Sequence, residues 1–256
     1  MKPARPKFLM INDERELDVR HVKSAYRAMQ ILEILHASRQ GLRLRDLAQL
    51  AGAPMSSIDY VLKTMVRTGH LEYRHDSKTY RLSHRVGLLG HWNDSSLMRD
   101  GPLIRLMKEL RDECGHNVAL TTRNGHYAQL IHIEYGDEDF VVAGVSSHLL
   151  KSAAGVALLS LLPDEEIAVI VRRYNAGRSQ LQDLVDLAAA RTRVDAARAD
   201  GFIADRNSAG WAVAIPQGLR EGHLLTLVIG SQRPDSWPGA QALFEAQRRL
   251  ADKWLA

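Results

Sequence analysis

Apolar positions in the first third of the chain recur at helical spacing. Leu44, Leu47, Ala48 and Ala51 fall at i, i+3, i+4 and i+7, so residues 44–51 predict a short helix with Arg43, Arg45, Asp46 and Gln49 on its polar side. Gly52-Ala53-Pro54 breaks the run, and Pro54 suits the first turn of a following helix, where its missing N–H would have had no partner. In that helix Ile58, Val61, Leu62, Met65 and Val66 form the buried stripe, and Gly69 ends it. Upstream, Val22, Ala25, Tyr26, Met29, Leu32 and Leu35 predict a third amphipathic helix that covers the other two. Downstream, Leu71-Glu72-Tyr73-Arg74 and Thr79-Tyr80-Arg81-Leu82 alternate around the polar His75-Asp76-Ser77-Lys78, which predicts a hairpin. Three helices and a hairpin over residues 21–86 make a winged helix-turn-helix.

The polar face of the second helix of the motif then becomes a candidate DNA surface. Ser56, Ser57, Tyr60, Lys63, Thr64 and Arg67 supply hydroxyls, an aromatic ring and two cations of the kind that reach base edges and phosphates. Arg45 near the start of the first helix, and Arg74 and Lys78 on the hairpin, are candidates for phosphate contact or for plain solvation. Asp59 could accept from a cytosine amino group, cap locally or face water. Charge adds an independent sign: residues 1–90 hold 16 Lys and Arg against 9 Asp and Glu, whereas the remainder holds 18 against 21. Positive charge is thus concentrated on the motif, where counterion release would favour DNA.

Length and composition bound the rest. With 256 residues and 45% hydrophobic content the chain can build a second, larger core. No run of 18 apolar residues occurs and the first residues lack an apolar signal core, so a cytoplasmic protein with no membrane segment is expected, its residues 1–20 forming a flexible arm. The single cysteine, Cys114, excludes an intramolecular disulfide. Residues 87–100 read as a helical linker closed by Gly101-Pro102.

From residue 101 onward helices and strands alternate. Leu103, Leu106, Met107 and Leu110 pattern a helix ending near Cys114-Gly115; strands are predicted at 117–123 and 126–135 around Asn124-Gly125, and a third at 140–145 before a Ser-His-Leu-Leu-Lys loop. Helices are expected at 153–161, from Pro163-Asp164 onward, and from about 180 to 200, then strands at 212–219 and 224–231 around Glu221-Gly222, and a closing helix at 241–254. The fold class is α/β (α+β), with a winged helix-turn-helix followed by an antiparallel-sheet α/β domain.

This arrangement resembles the IclR family of bacterial transcriptional regulators over residues 20–255. The resemblance is carried by Ile31-Leu32-Glu33-Ile34-Leu35, Leu44-Arg45-Asp46-Leu47-Ala48, Gly52-Ala53-Pro54, Leu62-Lys63-Thr64-Met65 and Gly69-His70-Leu71. In the second half it continues through Ser152-Ala153-Ala154-Gly155, Leu162-Pro163-Asp164-Glu165, Asp200-Gly201-Phe202 and Ala214-Ile215-Pro216. It implies a regulator that binds a palindromic double-stranded operator as a homodimer or homotetramer and takes a small organic acid in its C-terminal domain, with no cofactor, metal or catalytic residue. The implied effector pocket lies between Ser152, Ala153, Ala154 and Gly155, the segment from Asn207 through Trp211 to Ala212, and the strand containing Leu227 and Ile229. Backbone N–H groups near Ala153 and Ala154 could hold a carboxylate, or Ser152 could simply cap the helix.

Departures from the family pattern sharpen the expectation. Relatives that bind small oxoacids tend to carry serines where this chain has Leu227 and Ile229, and many carry an Arg where it has Tyr60. An apolar wall disfavours a small polar acid, so a larger, aromatic acid is expected. Tyr127, Lys151 and Trp211 could stack on and pair with it, or could belong to the core and the solvated surface. A constitutive DNA binder without a ligand remains open. So does an enzyme, although no Gly-x-Ser-x-Gly, His-Glu-x-x-His or phosphate-loop pattern fixes a catalytic set. His116, His126 and His132 on neighbouring strands lack the spacing of a metal-ligand signature.

Overall fold

A computed structural model describes residues 22–38, 40–89, 101–137, 146–176, 178, 180–208, 210–220 and 223–255. The arm at 1–20, most of the linker at 90–100 and the strand expected at 140–145 lie outside the described residues. The chain divides into two compact units, one within Asp13–Asp94 and one within Ser95–Ala256.

The first unit is built from helices α1 (Lys23–Ser38), α2 (Leu44–Leu50) and α3 (Met55–Arg67), strands β1 (Leu71–Arg74) and β2 (Thr79–Leu82), and α4 (His84–Leu89). Ile31, Leu47, Ile58, Leu62 and Leu71 are fully buried at its centre, so each of the three motif helices and the hairpin places apolar side chains in one core. The turn between α2 and α3 depends on Gly52, whose φ of 59° is a left-handed conformation that costs a side chain strain. Pro54 caps α3 rather than sitting inside its first turn: its carbonyl accepts from the N–H groups of Ser57 and Ile58 at 3.0 and 3.1 Å. β1 and β2 pair antiparallel from Leu71 with Leu82 to Arg74 with Thr79, and Leu42 bridges Tyr80 through bonds of 3.0 and 2.8 Å, adding a short third strand that the sequence did not suggest.

One expected face is rotated. On α1 the buried positions are Gln30, Ile31, Ile34 and Leu35, whereas Val22, Tyr26 and Met29 are exposed. Both sets recur at helical spacing, and only the contact with α2 and α3 decides which turns inward.

The second unit runs α5 (Pro102–Cys114), β3 (Asn117–Asn124), β4 (Tyr127–Glu134), β5 (Ser146–His148), α6 (Ala153–Leu159), α7 (Asp164–Ala176), α8 (Leu187–Asp200), β6 (Ile203–Asn207), β7 (Gly210–Arg220), β8 (His223–Ser231) and α9 (Ala240–Trp254). The six strands form one antiparallel sheet in the order β5-β4-β3-β8-β7-β6. Helices cover both faces. α5 and α9 pack on one face over Val118, Leu120, Val213, Ile215, Leu225, Leu227 and Ile229. On the other face α6, α7 and α8 pack over Ala128, Ala212, Ala214 and Val228.

Three local expectations change. Strand β5 occupies the start of the stretch read as a loop. Strand β6 was missed. The long helix expected from about 180 is a single 3-10 turn (Leu181–Asp183) followed by α8, because Asp186 caps α8 by accepting from the Ala189 N–H at 2.9 Å. The Asn175 side chain holds the intervening Val185 backbone at both its N–H and its carbonyl, each at 2.9 Å.

Arg198 on α8 fixes the link between α6 and α7. Its guanidinium donates to the carbonyls of Ser160 at 3.2 Å and Leu162 at 2.6 Å, and pairs with Asp164 at 2.8 Å and Asp195 at 3.1 Å. At the other end of α6, Gly155 admits the backbone of Leu149: a Cβ there would lie 2.2 Å from the Leu149 carbonyl oxygen. Gly155→Ala is therefore expected to lower the stability of this unit by about 1–3 kcal/mol, the usual cost of overpacking, measured as a fall in the urea midpoint of its unfolding transition.

Candidate functional site

On α3 the inner and outer faces separate cleanly. Ile58, Val61, Leu62 and Met65 are buried, and Ser56, Tyr60, Lys63, Thr64 and Arg67 are exposed, with Tyr60 the most prominent at 76%. Two pairings within the unit limit what this face offers. Lys63 Nζ lies 2.6 Å from Asp59 Oδ2 one turn back, which raises the Lys63 pKa through that hydrogen bond and charge. Asp59 thus serves as an ion-pair partner on the helix. Ser57 is part-buried and accepts a bond from Arg27 of α1, so it belongs to the α1–α3 contact rather than to the open face. Thr64 Oγ1 donates to the Tyr60 carbonyl at 2.9 Å. Arg45 is exposed on α2, and Arg74 and Lys78 are exposed on the hairpin, whose turn holds Lys78 at φ 54°.

The residues expected around an effector are brought together only in part. Ser152 caps α6: its Oγ accepts from the Gly155 N–H at 3.1 Å and lies 2.8 Å from Ser147 Oγ. Ala153 and Ala157 lie against Ala212, Ala214 and Val228 of the sheet, all small enough to let α6 approach closely. Trp211, Leu227 and Ile229 do not join them. They sit in the α5–α9 core on the opposite face of the sheet, where Trp211 Nε1 donates to Ser236 Oγ at 3.1 Å and its ring meets Trp237. Asn207 is exposed at the end of β6.

Alternation along β8 explains this separation and brings a further residue to the α6 face. Leu225, Leu227 and Ile229 turn toward α9, so Thr226 and Val228 turn toward α6. Thr226 is 0% exposed and among the described residues its hydroxyl has no hydrogen-bond partner, whereas its carbonyl accepts from Thr121 Oγ1 at 3.3 Å. A buried hydroxyl without a partner on the face that carries Ala212 and Ala214 is the polar group the sequence reading should have named. No alternation marked it, because Leu224-Leu225-Thr226-Leu227-Val228-Ile229 is apolar on both faces.

Beside the start of α6 lies an aromatic and cationic cluster. His148 packs its ring on Tyr174 at 4.4 Å and on Tyr127 at 5.5 Å, and Lys151 and Arg178 lie over the Tyr174 ring at 5.4 and 4.3 Å. His148 Nδ1 accepts from the Leu150 N–H at 3.2 Å. Burial, with His126 and Lys151 nearby, pushes its pKa down to about 4. Burial also lowers His126, helped by Arg173 and Arg123. His116 and His132 are apart from this cluster: His116 lies against Trp211, and His132 pairs with Glu134 at 2.9 Å. Cys114 is half-buried, and burial pushes its thiol pKa up, away from a reactive thiolate.

A histidine held neutral in the fold titrates at about 4 there and near 6.5 when unfolded, so the stability it contributes is complete above pH 6.5 and is lost as pH falls toward 4. In His148→Asn, which keeps an acceptor for the Leu150 N–H, the fall in urea midpoint from pH 7 to pH about 4 should be shallower than in the wild-type chain.

The comparisons agree with this geometry. Residues 24–75 match the IclR helix-turn-helix domain model. Among curated relatives, the HTH-type transcriptional regulator XynR of Escherichia coli is 24% identical over 156 residues, 60% of this chain and 62% of that protein. The acetate operon repressor of Salmonella typhimurium is 27% identical over 169 residues, 59% of this chain and 57% of that protein. The match therefore spans about six-tenths of the length of these relatives. Among solved structures, an IclR homolog from Microbacterium hydrocarbonoxydans complexed with 4-hydroxybenzoate shares the fold with a TM-score of 0.64 at 18% identity, covering 90% of this chain and 96% of that one. An IclR regulator from Alicyclobacillus acidocaldarius does so with 0.62 at 17%, covering 91% and 97%. The helix-turn-helix of this chain thus matches the IclR domain model, and the fold along its described residues is that of the solved IclR regulators.

Proposed function

We propose that the chain is a DNA-binding transcriptional regulator whose second unit binds a small aromatic acid. The observation that carries the first part is the outer face of α3, where Ser56, Tyr60, Lys63, Thr64 and Arg67 stand exposed on a helix whose other face is anchored by Ile58, Val61, Leu62 and Met65. Such a helix fits the major groove, with Tyr60 and Ser56 at base edges and Arg67, Arg45, Arg74 and Lys78 at phosphates. Lys63 is partly neutralised by Asp59 and contributes less. The exposed Tyr26 and Met29 of α1, with Val22 just before it, suit a contact with a second copy, which would match a palindromic operator.

The acid is placed on the α6 face of the sheet, among Ser152, Ala153, Ala154, Gly155, Ala212 and Thr226, with Tyr127 and Lys151 at the neighbouring cluster. Ala153, Ala154, Gly155 and Ala212 make that setting largely apolar, with the Thr226 and Ser152 hydroxyls as its polar groups, which suits an aromatic carboxylic acid better than a small oxoacid. The Microbacterium homolog complexed with 4-hydroxybenzoate supports the same ligand class.

In fluorescence anisotropy on DNA from upstream of its own gene, Tyr60→Ala is expected to weaken specific binding by about 1–3 kcal/mol and spare binding to unrelated DNA. Arg67→Ala is expected to weaken both and to flatten the salt dependence by about one charge. Equal affinity of the wild-type chain for both DNAs at every salt concentration would count against a regulator. For the second unit, 4-hydroxybenzoate should raise the melting temperature. Thr226→Val should keep the unliganded fold and weaken 4-hydroxybenzoate binding by roughly tenfold, because one hydrogen bond is lost.

A further inference from the structure

A cavity of about 440 Å³ opens in the second unit between β7, the turn at Gly201 and α9. It lies on the α9 side of the sheet, away from α6, and no step of the proposed regulation uses it. Ile215, Pro216 and Ala251 give it apolar walls, Phe244 adds an aromatic one, and Arg248 and Asp252 stand at its mouth. The volume is that of a small-molecule site.

Its floor is unusual. Gln247 is 4% exposed, among the most buried polar residues described, on a helix whose other inward positions are Leu243, Ala246 and Leu250. Its carboxamide makes one weak bond, from Nε2 to Gln217 Oε1 at 3.4 Å, and among the described residues no other. Gln217 in turn donates to the Ile215 carbonyl at 3.2 Å, which fixes the pair against the backbone of β7. A carboxamide offers two donor hydrogens and an acceptor oxygen, whichever way it is turned. Gln247 therefore keeps a donor and an acceptor in reserve at the floor of a cavity, where a leucine would have packed at no polar cost.

We propose that this cavity binds a small, neutral, planar nitrogen heterocycle that presents a hydrogen-bond donor beside an acceptor. The carboxamide edge of Gln247 matches such a ring with two parallel hydrogen bonds, as glutamine does with adenine. Phe244, with the Arg248 guanidinium 5.9 Å from its ring centre, supplies a flat surface for stacking. The mouth carries one cation and one anion, so it favours neither sign, and a carboxylate gains nothing from Gln247 that water does not give.

The test is saturation-transfer NMR and calorimetric titration of the full chain with adenine and 2-aminopyrimidine as probes and indole as a ring without the paired edge. Both probes should bind more tightly than indole. Gln247→Leu should weaken them at least about tenfold, and Ala251→Trp, which fills the cavity from its wall, should abolish binding while circular dichroism stays unchanged. Failure of both probes to bind at millimolar concentration, or binding that survives Ala251→Trp, overturns the proposal. Because the acid is placed on the opposite face of the sheet, 4-hydroxybenzoate binding is expected to survive Ala251→Trp, so either reading can fail without the other.

Discussion

A sheet covered on both faces imposes the constraint on which the second unit depends. Each inward side chain of β3, β7 and β8 must enter either the α5–α9 core or the α6–α8 core, and the pleat leaves no third choice. The two cores have different characters. The α5–α9 side is filled by large residues, Leu225, Leu227, Ile229 and Trp211 among them, and it sets the spacing of those helices from the sheet. The α6 side uses alanine at 153, 157, 212 and 214, so that a seven-residue helix with Gly155 in its first turn can press close to the strands. Polar groups are tolerated on that closely packed side only where a partner is within reach, which is why the unmet hydroxyl of Thr226 carries weight there.

The helix-turn-helix unit solves a simpler problem. Its core is reached from one side of each helix, so the outer face of α3 is free of packing duty and its composition is set by other demands. Part of that composition is spent internally. Asp59 engages Lys63, and Arg27 engages Ser57, so the helix presents fewer uncommitted groups than its sequence lists. What stays outward, Tyr60 above all, is an aromatic surface unusual for a solvated helix.

How much was legible in the sequence follows from these two cases. Where one face is buried and one is wet, as in α2, α3 and the β1–β2 hairpin, the period of the apolar residues names both the element and its orientation, and those elements appear where the pattern put them. On α1 two apolar stripes compete, and only tertiary contact selects Ile31 and Ile34 over Val22 and Met29. In β8 both faces are apolar and the period disappears, so nothing local says that Leu227 and Ile229, which the resemblance put at the pocket, turn toward α9 while Thr226 turns toward α6. Strand β6 was lost for a related reason: Ile203-Ala204-Asp205-Arg206-Asn207 is polar over its second half, and its identity comes from pairing with β7 rather than from its own composition. The end of α7 and the start of α8 were blurred because the Asn175 clasp on Val185 joins residues ten apart, beyond the reach of any local pattern.

Arg198 has a mechanical meaning. By gripping two carbonyls and a carboxylate of the connection between α6 and α7, it removes the slack from that connection. A loop without slack transmits displacement instead of absorbing it. Arg198 thus ties α8 to the end of α6 and the start of α7 by bonds as well as by packing, so the three helices of that face are joined at a point remote from Ser152.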